Sequence, residues 1–293
     1  MNNRFMINYT PGTTPLHRLN GATKVLGFVI LIIYIMSSFD VRFMFPMFLL
    51  CVIGIISMKP NWKPIFFMLG FLFVMAGLIG SAMIILITPW AAYIHVGAET
   101  ILIRFTDRLF ISKELLWYVG AMFFKRLCSL AIAILFILSI TPSELAAGMN
   151  KLGVPYKVCT IVSIAFRTIP DIARDYMDIK NSLMMRGVEL DSRKVGLGKR
   201  VRQTTLILVP LIMTSFGKVG NIANAMDLRG FGKLKVRSWY SDRPPTKSDW
   251  LARAAIFVIA AVNVFYIAYF RFINPRPVSY WSPWLDAIIA GLY

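Results

Sequence analysis

Apolar residues run through this chain in five long blocks, which short polar or charged stretches separate from one another. A transmembrane helix needs about 20 consecutive, mostly apolar residues, so we interpret each block as one membrane span. The five predicted spans are Ala22–Phe39, Phe43–Met58, Ile65–Thr88, Glu114–Ile140 and Trp250–Phe272. The pattern therefore predicts an all-α, polytopic membrane protein with about five transmembrane helices, and a loop outside the membrane over residues 89–112.

Between the fourth and fifth spans the pattern changes from solid apolar blocks to the periodicity of amphipathic helices. We expect a short helix beginning at Thr141 and two long helices, over residues 156–186 and 199–229. The apolar positions of each long helix advance alternately by four and three residues, which is typical of a packing seam, so the two helices should pack together along these seams. The predicted regions are an N-terminal transmembrane region (1–140), an amphipathic region (141–249) and a C-terminal helix with its tail (250–293).

Both long helices end in Arg-Gly, at the same phase of their seams and 43 residues apart. Glycine after a helix can simply close it in the left-handed conformation. The alternative is recognition, because arginine pairs bidentately with carboxylates and a two-fold symmetric partner offers two equivalent grooves. Because two such endings occur at the same phase of two seams, the pattern favours partner recognition over simple helix closure. The predicted partner-binding residues are Met185, Arg186, Gly187, Leu228, Arg229 and Gly230.

Composition supports the membrane interpretation, since 57% of the residues are hydrophobic and the mean hydropathy is +0.65. Soluble globular domains have about 45–50% apolar residues. Of the 32 lysines and arginines, 18 lie between residues 141 and 250. The positive-inside rule explains that clustering without nucleic acid as a partner. It places the amphipathic region in the cytoplasm, and we expect the N-terminus on the same side.

Residues suited to catalysis or to metal binding are scarce. The two histidines, His17 and His95, are predicted on opposite sides of the membrane. Each cysteine stands alone in apolar sequence, which is typical of buried free thiols. Glycines before lysines lack the other residues of a phosphate-binding loop. We therefore predict no catalytic residues, no cofactor and no metal. The cysteines are Cys51, Cys128 and Cys159.

Three carboxylates, Asp171, Asp175 and Asp178, lie near one face of the first long helix. They could hold a metal ion or a proton. The spacing also lets Arg174 pair with Asp178 along the helix, which favours a solvated, salt-bridged face.

Two features of the spans have more than one interpretation. Lys125 and Arg126 fall inside the fourth span, where charges are costly, so they either pack against neighbouring helices or reach toward the interface. Small residues of the third span permit close helix approach, either within this chain or against another membrane subunit. These are Ala76, Gly77, Gly80 and Ser81.

Several motifs resemble the transmembrane T component family of energy-coupling factor transporters, and the similarity covers most of the chain. The most specific is Ala225-Met226-Asp227-Leu228-Arg229-Gly230-Phe231, which is similar to the second Ala-Arg-Gly signature of that family. By position, Met185-Arg186-Gly187 is the first signature. The chain departs from the family where Met185 and Leu228 replace alanine and where Asn20-Gly21 replaces Asp-Pro. Similar motifs begin at Thr14 (Thr-Pro-Leu-His-Arg-Leu), Thr141 (Thr-Pro-Ser-Glu-Leu) and Arg167 (Arg-Thr-Ile-Pro).

This resemblance implies a non-enzymatic coupling scaffold in a prokaryotic cell membrane. It would link two cytoplasmic ATPases, through coupling helices that end in the arginines, to a membrane-embedded S component that binds a vitamin or another micronutrient. The alternative from the residues alone is a self-contained permease or channel subunit with its own substrate pathway, and a membrane-embedded enzyme is a third hypothesis.

Overall fold

The structure, a computed structural model, describes residues 14–38, 40–87, 101–106, 109–188, 197–234, 239 and 243–269. His95, most of the predicted outer loop and the tail lie outside these residues. The predicted all-α fold is confirmed. The helices are α1 (Pro15–Arg18), α2 (Gly21–Ser37), α3 (Val41–Ser57), α4 (Trp62–Leu72), α5 (Gly80–Ile87), α6 (Lys113–Ser139), α7 (Pro142–Lys151), α8 (Tyr156–Met185), α9 (Leu197–Leu228) and α10 (Lys247–Ala268).

Within the predicted outer loop, the described residues form a short hairpin. Strand β1 (Ile101–Thr106) pairs antiparallel with β2 (Leu109–Ser112). The Ser112 side chain then accepts a hydrogen bond from the Leu115 N–H and caps α6. The hairpin thus leads directly into the fourth predicted span.

Among the residues that the structure describes, four helices are long and apolar enough to cross a membrane: Trp62–Ile84, Lys113–Ser139, Gln203–Leu228 and Lys247–Ala268. The apolar helices α2 and α3 are shorter, with 17 residues each. These helices confirm a polytopic membrane protein and correspond to the five predicted spans, with one addition. Gln203–Leu228, the least apolar of the four long segments, lies in the region that we expected to be cytoplasmic.

The chain separates into two compact units. The basic unit comprises the described residues between 142 and 242, which form α7, α8 and α9. The membrane unit comprises the described residues between 14 and 141 and between 243 and 269, which form the remaining elements. The first four spans and the last span therefore belong to one packed body, although the basic unit separates them in sequence.

Helix α6 lies at the centre of the membrane unit, where it packs against α2 and α3. Its Cys128 and Ile132 are buried together with Ile35 of α2 and with Met44 and Cys51 of α3. Helix α10 packs on the outer side of α2. There the Asn263 side chain donates a hydrogen bond to Ser38 Oγ.

The charges inside the fourth span are satisfied by neighbouring helices. Lys125 Nζ donates a hydrogen bond to the carbonyl of Met36, and Arg126 Nη1 donates to the carbonyl of Ala76, at 2.8 and 2.9 Å. Ala76 lies in a π-helical stretch, Phe73–Ile79, that joins α4 to α5. Such stretches interrupt the ordinary helical hydrogen-bond ladder, which explains how a backbone carbonyl there can serve the arginine.

The small residues of the third span pack within this chain. A Cβ atom added at Gly80 would lie 2.8 Å from Arg126 Nη1, and one at Gly77 would lie 3.3 Å from the ring of Phe123. Of the two interpretations offered by the sequence, intramolecular packing is the one observed for these glycines.

Replacing Gly80 with valine should therefore destabilise the protein, because the new side chain displaces the Arg126 guanidinium from its carbonyl. We expect a loss on the order of 1–3 kcal/mol, seen as a lower thermal unfolding midpoint in detergent. Gly70→Val is the matched control in the same apolar segment, since a Cβ atom there has no contact within 4 Å. Equal midpoints for the two variants would contradict this packing.

Candidate partner-binding site

The first Arg-Gly ending closes α8 with a complete set of backbone hydrogen bonds. The Val188 N–H donates to the carbonyl of Leu183 at 3.1 Å, and the Gly187 N–H donates to that of Met184 at 3.0 Å. Gly187 has a φ of +79°, in the left-handed region that favours glycine. This is the Schellman motif, and Arg186 is its C-cap residue.

The second ending, which closes α9, forms the same two backbone hydrogen bonds. The Phe231 N–H donates to the carbonyl of Met226 at 3.0 Å, and the Gly230 N–H donates to that of Asp227 at 2.9 Å. Gly230 has a φ of +67°. The offset of 43 residues read from the sequence is therefore also a structural equivalence.

A third closure in the basic unit separates the role of the glycine from that of the arginine. At the end of α7, the Val154 and Gly153 N–H groups donate to the carbonyls of Met149 and Asn150, both at 3.1 Å. Gly153 has a φ of +100°. The residue before this glycine is Leu152. Helix closure thus needs the glycine but not an arginine, so capping alone does not explain Arg186 and Arg229.

Each arginine follows an unusually exposed apolar side chain. Met185 is 84% exposed and Leu228 is 89% exposed, and both arginines are exposed as well. We call Met185–Gly187 and Leu228–Gly230 the two tips. Each tip presents an apolar side chain next to a guanidinium, which is a combination suited to a groove with an apolar floor and a carboxylate.

Helices α8 and α9 run antiparallel. The Tyr156 ring, at the start of α8, contacts the ring of Phe231 just beyond the end of α9, with 5.6 Å between centroids. Farther along both helices, Lys218 Nζ forms an ion pair with Asp175. The two tips consequently lie toward opposite ends of α8, which has 30 residues and a length of about 45 Å.

The ion pair joins positions that are equivalent in the repeat. Asp175 and Lys218 are 43 residues apart, and each lies eleven residues before the arginine of its own helix. At 1.5 Å per residue, each arginine is about 16 Å along its helix from this contact. An antiparallel pair that crosses at equivalent positions has an approximate two-fold relation, so the tips are related by it.

Helices α8 and α9 pack on each other, but apolar positions of the two predicted seams remain exposed. Ile169 of α8 is 50% exposed, and Ile212 and Val219 of α9 are 48% and 59% exposed. The two helices do pack against each other, but their packing leaves a large part of each seam exposed. The four-three rhythm marks an apolar face on each helix, and much of that face is left uncovered by the basic unit itself.

Two of the three aspartates of α8, Asp171 and Asp175, form ion pairs with cations. Besides the pair between Asp175 and Lys218, Arg174 Nη1 lies 3.6 Å from Asp171, so its partner is not Asp178 as the spacing suggested. Within the described part of the chain, no three His, Cys, Asp or Glu side chains are grouped closely enough to hold a metal ion.

All three cysteines are buried free thiols, as predicted. Burial raises the pKa of the Cys159 thiol, which favours its protonated, unreactive form.

Sequence reasoning found the tips but missed the contact that marks the register of the two long helices. The pairing of Asp175 with Lys218 was visible as opposite charges at matching positions of the repeat. Comparing the charges across the 43-residue offset would have found this contact.

Fold and tips together define a polytopic helical membrane protein with a basic unit whose two long helices carry the tips. Residues 12–239 match the family of cobalt transport proteins, CbiQ, and the chain belongs to that family. The resemblance to T components of energy-coupling factor transporters is likewise confirmed by the relatives that the chain matches over most of its length.

Three of these relatives are energy-coupling factor transporter transmembrane proteins, EcfT. The chain is 26% identical to that of Bacillus subtilis over 283 residues, which cover 90% of this chain and 98% of the relative. It is 26% identical to that of Thermanaerovibrio acidaminovorans over 279 residues, covering 88% and 94%. It is 24% identical to that of Lactococcus lactis over 270 residues, covering 89% and 95%.

Replacing Gly187 or Gly230 with alanine should loosen the corresponding tip, because a Cβ atom in the left-handed region costs about 1–2 kcal/mol per residue. Amide hydrogen exchange in the last turn of α8 or α9 should rise about tenfold. Gly217→Ala is the control, since Gly217 lies inside α9 and an added Cβ atom has no contact within 4 Å. Unchanged exchange at both tips would show that the left-handed glycines are not needed there.

Proposed function

We propose that this chain is the transmembrane coupling scaffold of an energy-coupling factor importer. It transmits ATP-driven motion of two cytoplasmic ATPases to a membrane-embedded S component, which binds the vitamin or other micronutrient. The chain itself is a non-catalytic subunit in this proposal, and ATP is hydrolysed by the partners. Relatives that match about nine-tenths of this chain carry the name of transporter transmembrane proteins. The observation that carries the proposal is the pair of structurally equivalent arginine tips.

The approximate two-fold relation of the tips suits a partner that is itself a dimer. Two equivalent grooves on an ATPase dimer would each accept one tip. In each groove, Met185 or Leu228 would be buried and the adjacent guanidinium would pair with a carboxylate in bidentate geometry. The bulk of Met185 and Leu228 predicts a deeper apolar floor than an alanine would require.

The uncovered apolar faces of α8 and α9 supply a second surface for this function. They include exposed side chains in the middle of both helices, away from the tips. Contiguous apolar surface of this kind marks interaction sites with proteins or membranes. We assign it to the S component and the adjoining bilayer, which also accounts for the apolar character of α9. Exposed members are Ile169, Ile172, Ile212, Met213, Phe216 and Val219.

The alternative of a self-contained permease has less support. Such a protein needs polar residues along a pathway at the middle of the membrane. The two cations of α6 that could line one are instead hydrogen-bonded to carbonyls of the helices beside it.

Replacing Arg186 and Arg229 together with alanine should release the ATPases while leaving the protein in the membrane. Truncating one partner of a buried, hydrogen-bonded charge pair costs about 2–5 kcal/mol, so the amount of copurifying ATPase should fall at least tenfold. Uptake should stop as well. Each single variant should retain partial binding, since the other tip stays intact.

Arg174→Ala is the matched control, because Arg174 is an exposed arginine of α8 that lies away from both tips. It should leave the copurification of ATPases unchanged. If the double variant kept its ATPases and its uptake, the role of the tips would be disproved. Equal losses in the double variant and in the control would point to a general effect of surface charge.

A further inference from the structure

Arg126 lies in the middle of the fourth span with a single acceptor for its guanidinium. It is the central residue of α6, thirteen residues and about 20 Å from either end of that helix. A guanidinium stays protonated and offers five N–H donors. Among the residues that the structure describes, it donates to the carbonyl of Ala76, from Nη1, and to no other acceptor. The remaining N–H groups are therefore available to an acceptor from outside the chain.

Two buried charges of the membrane unit, Lys24 and Asp249, are bonded more completely. Lys24 Nζ donates to two carbonyls, at 2.8 and 3.1 Å. The Asp249 carboxylate accepts from two N–H groups and a hydroxyl, at 2.7 to 2.8 Å. Both residues lie near the starts of helices, whereas Arg126 lies at the middle of its span. Charged residues at that depth are costly and mark functional sites.

Arg126 also lines a groove on the surface of the third span, which we call the Arg126 groove. The groove has a volume of about 320 Å³, and its other walls are apolar. Its most exposed side chains, Phe67 and Phe71 of α4, are 78% and 59% exposed, and Met68 and Met75 line it as well. The third span as a whole is poorly covered, since 6% of its apolar stretch is buried against 39% for α6. It thus presents open apolar surface beside a cation.

The π-helical stretch Phe73–Ile79 builds part of this groove. It supplies Met75 to the wall and the carbonyl of Ala76 to the guanidinium. Single turns of π-helix within α-helices occur frequently at functional sites. Methionine is flexible and polarisable, so Met68 and Met75 can adapt to the shape of a partner. These features favour a binding groove over a simple gap in the packing.

The depth of Arg126 limits what can occupy the groove. Phospholipid headgroups lie outside a hydrocarbon core of about 30 Å, so their phosphates are roughly 15 Å from the middle of a span. A second copy of this chain offers no suitable anion either. Its apolar spans, Gln203–Leu228 included, carry Asp or Glu at their ends alone. The matching anion must therefore come from a membrane-spanning helix of a different protein.

We propose that the Arg126 groove docks a transmembrane helix of another membrane protein, and that a carboxylate near the middle of that helix pairs with Arg126. The planar guanidinium can bind both oxygens of a carboxylate through parallel N–H bonds. Phe67, Phe71 and the two methionines pack against the apolar side chains on either side of that carboxylate. The groove belongs to the membrane unit alone and involves neither tip, so the inference goes beyond the proposed function and does not depend on it.

The test measures energy transfer between the full-length protein and synthetic transmembrane peptides in phosphatidylcholine liposomes. Each peptide is a leucine-alanine helix of about 20 residues that carries an acceptor fluorophore, and its central residue is glutamate, glutamine or leucine. The donor fluorophore is attached to the protein through Lys63→Cys, at an exposed residue near the start of α4. The native cysteines are buried, which directs labelling to this position. The readout is the peptide-to-lipid ratio that gives half-maximal transfer.

We expect the glutamate peptide to reach half-maximal transfer at a ratio at least tenfold lower than the leucine peptide. Arg126→Gln should abolish that preference. Met68→Trp, which keeps the arginine but fills the groove, should weaken the binding of all three peptides. Lys125→Gln is the matched control, because Lys125 is the neighbouring cation of α6 and donates to the carbonyl of Met36. It should leave the preference unchanged.

Equal binding of the glutamate and leucine peptides to the unaltered protein would overturn the proposal. So would a loss of preference in Lys125→Gln as large as that in Arg126→Gln, which would indicate a general effect of charge. Unchanged binding in Met68→Trp would also overturn it, since the peptides would then bind elsewhere. The measurement is repeated with phosphatidylglycerol in the liposomes, where a preference that disappears would show that anionic lipid takes the site and would contradict a helix as the occupant. No ATPase is present, so these outcomes are separate from those for the tips.

Discussion

Charged and backbone polar groups in an apolar environment must find partners within the protein, because no water is present to replace them. This constraint organises the membrane unit. Arg126 and Lys125 take their acceptors from the backbones of neighbouring helices. Lys24 and Asp249 take theirs from the ends of helices, where carbonyl and N–H groups need partners in any case. The polar groups therefore specify which helices meet, while the apolar residues supply the bulk of the packing.

The basic unit is organised by repetition. Helices α8 and α9 share one sequence pattern and are related by an approximate two-fold rotation. The ion pair between Asp175 and Lys218 is partly exposed, with side-chain exposures of 24% and 50%. Exposed pairs contribute about 0–1 kcal/mol, so this pair marks the register of the two helices more than it stabilises them. The closures are identical in all three helices of the unit, and the arginines appear in two of them. The glycines therefore account for helix closure, and our proposal assigns the arginines to recognition of a partner.

The sequence predicted the spans, the ends of the long helices and the position of both arginines, because each of these depends on local pattern. Solid apolar blocks, a glycine after a helix and a four-three rhythm are all readable from neighbouring residues. The burial of the seams was not predictable, since periodicity reveals an apolar face but not what covers it. The partners of Lys125 and Arg126 were also out of reach, because they are backbone carbonyls exposed by the π-helical stretch at Phe73–Ile79 and by the end of α2. The apolar content of Gln203–Leu228 shows the same limit, since composition alone suits both a membrane span and a surface for another subunit.

The central claim is that the two tips occupy equivalent grooves on two different ATPase subunits. Photo-cross-linking from residues placed at Met185 and Leu228, with ATPase subunits that carry distinguishable tags, measures this directly. The account predicts that in each complex one position reacts with one subunit and the other position with the second subunit, at corresponding groove residues. Reaction of both positions with the same subunit, or with lipid alone, would contradict it.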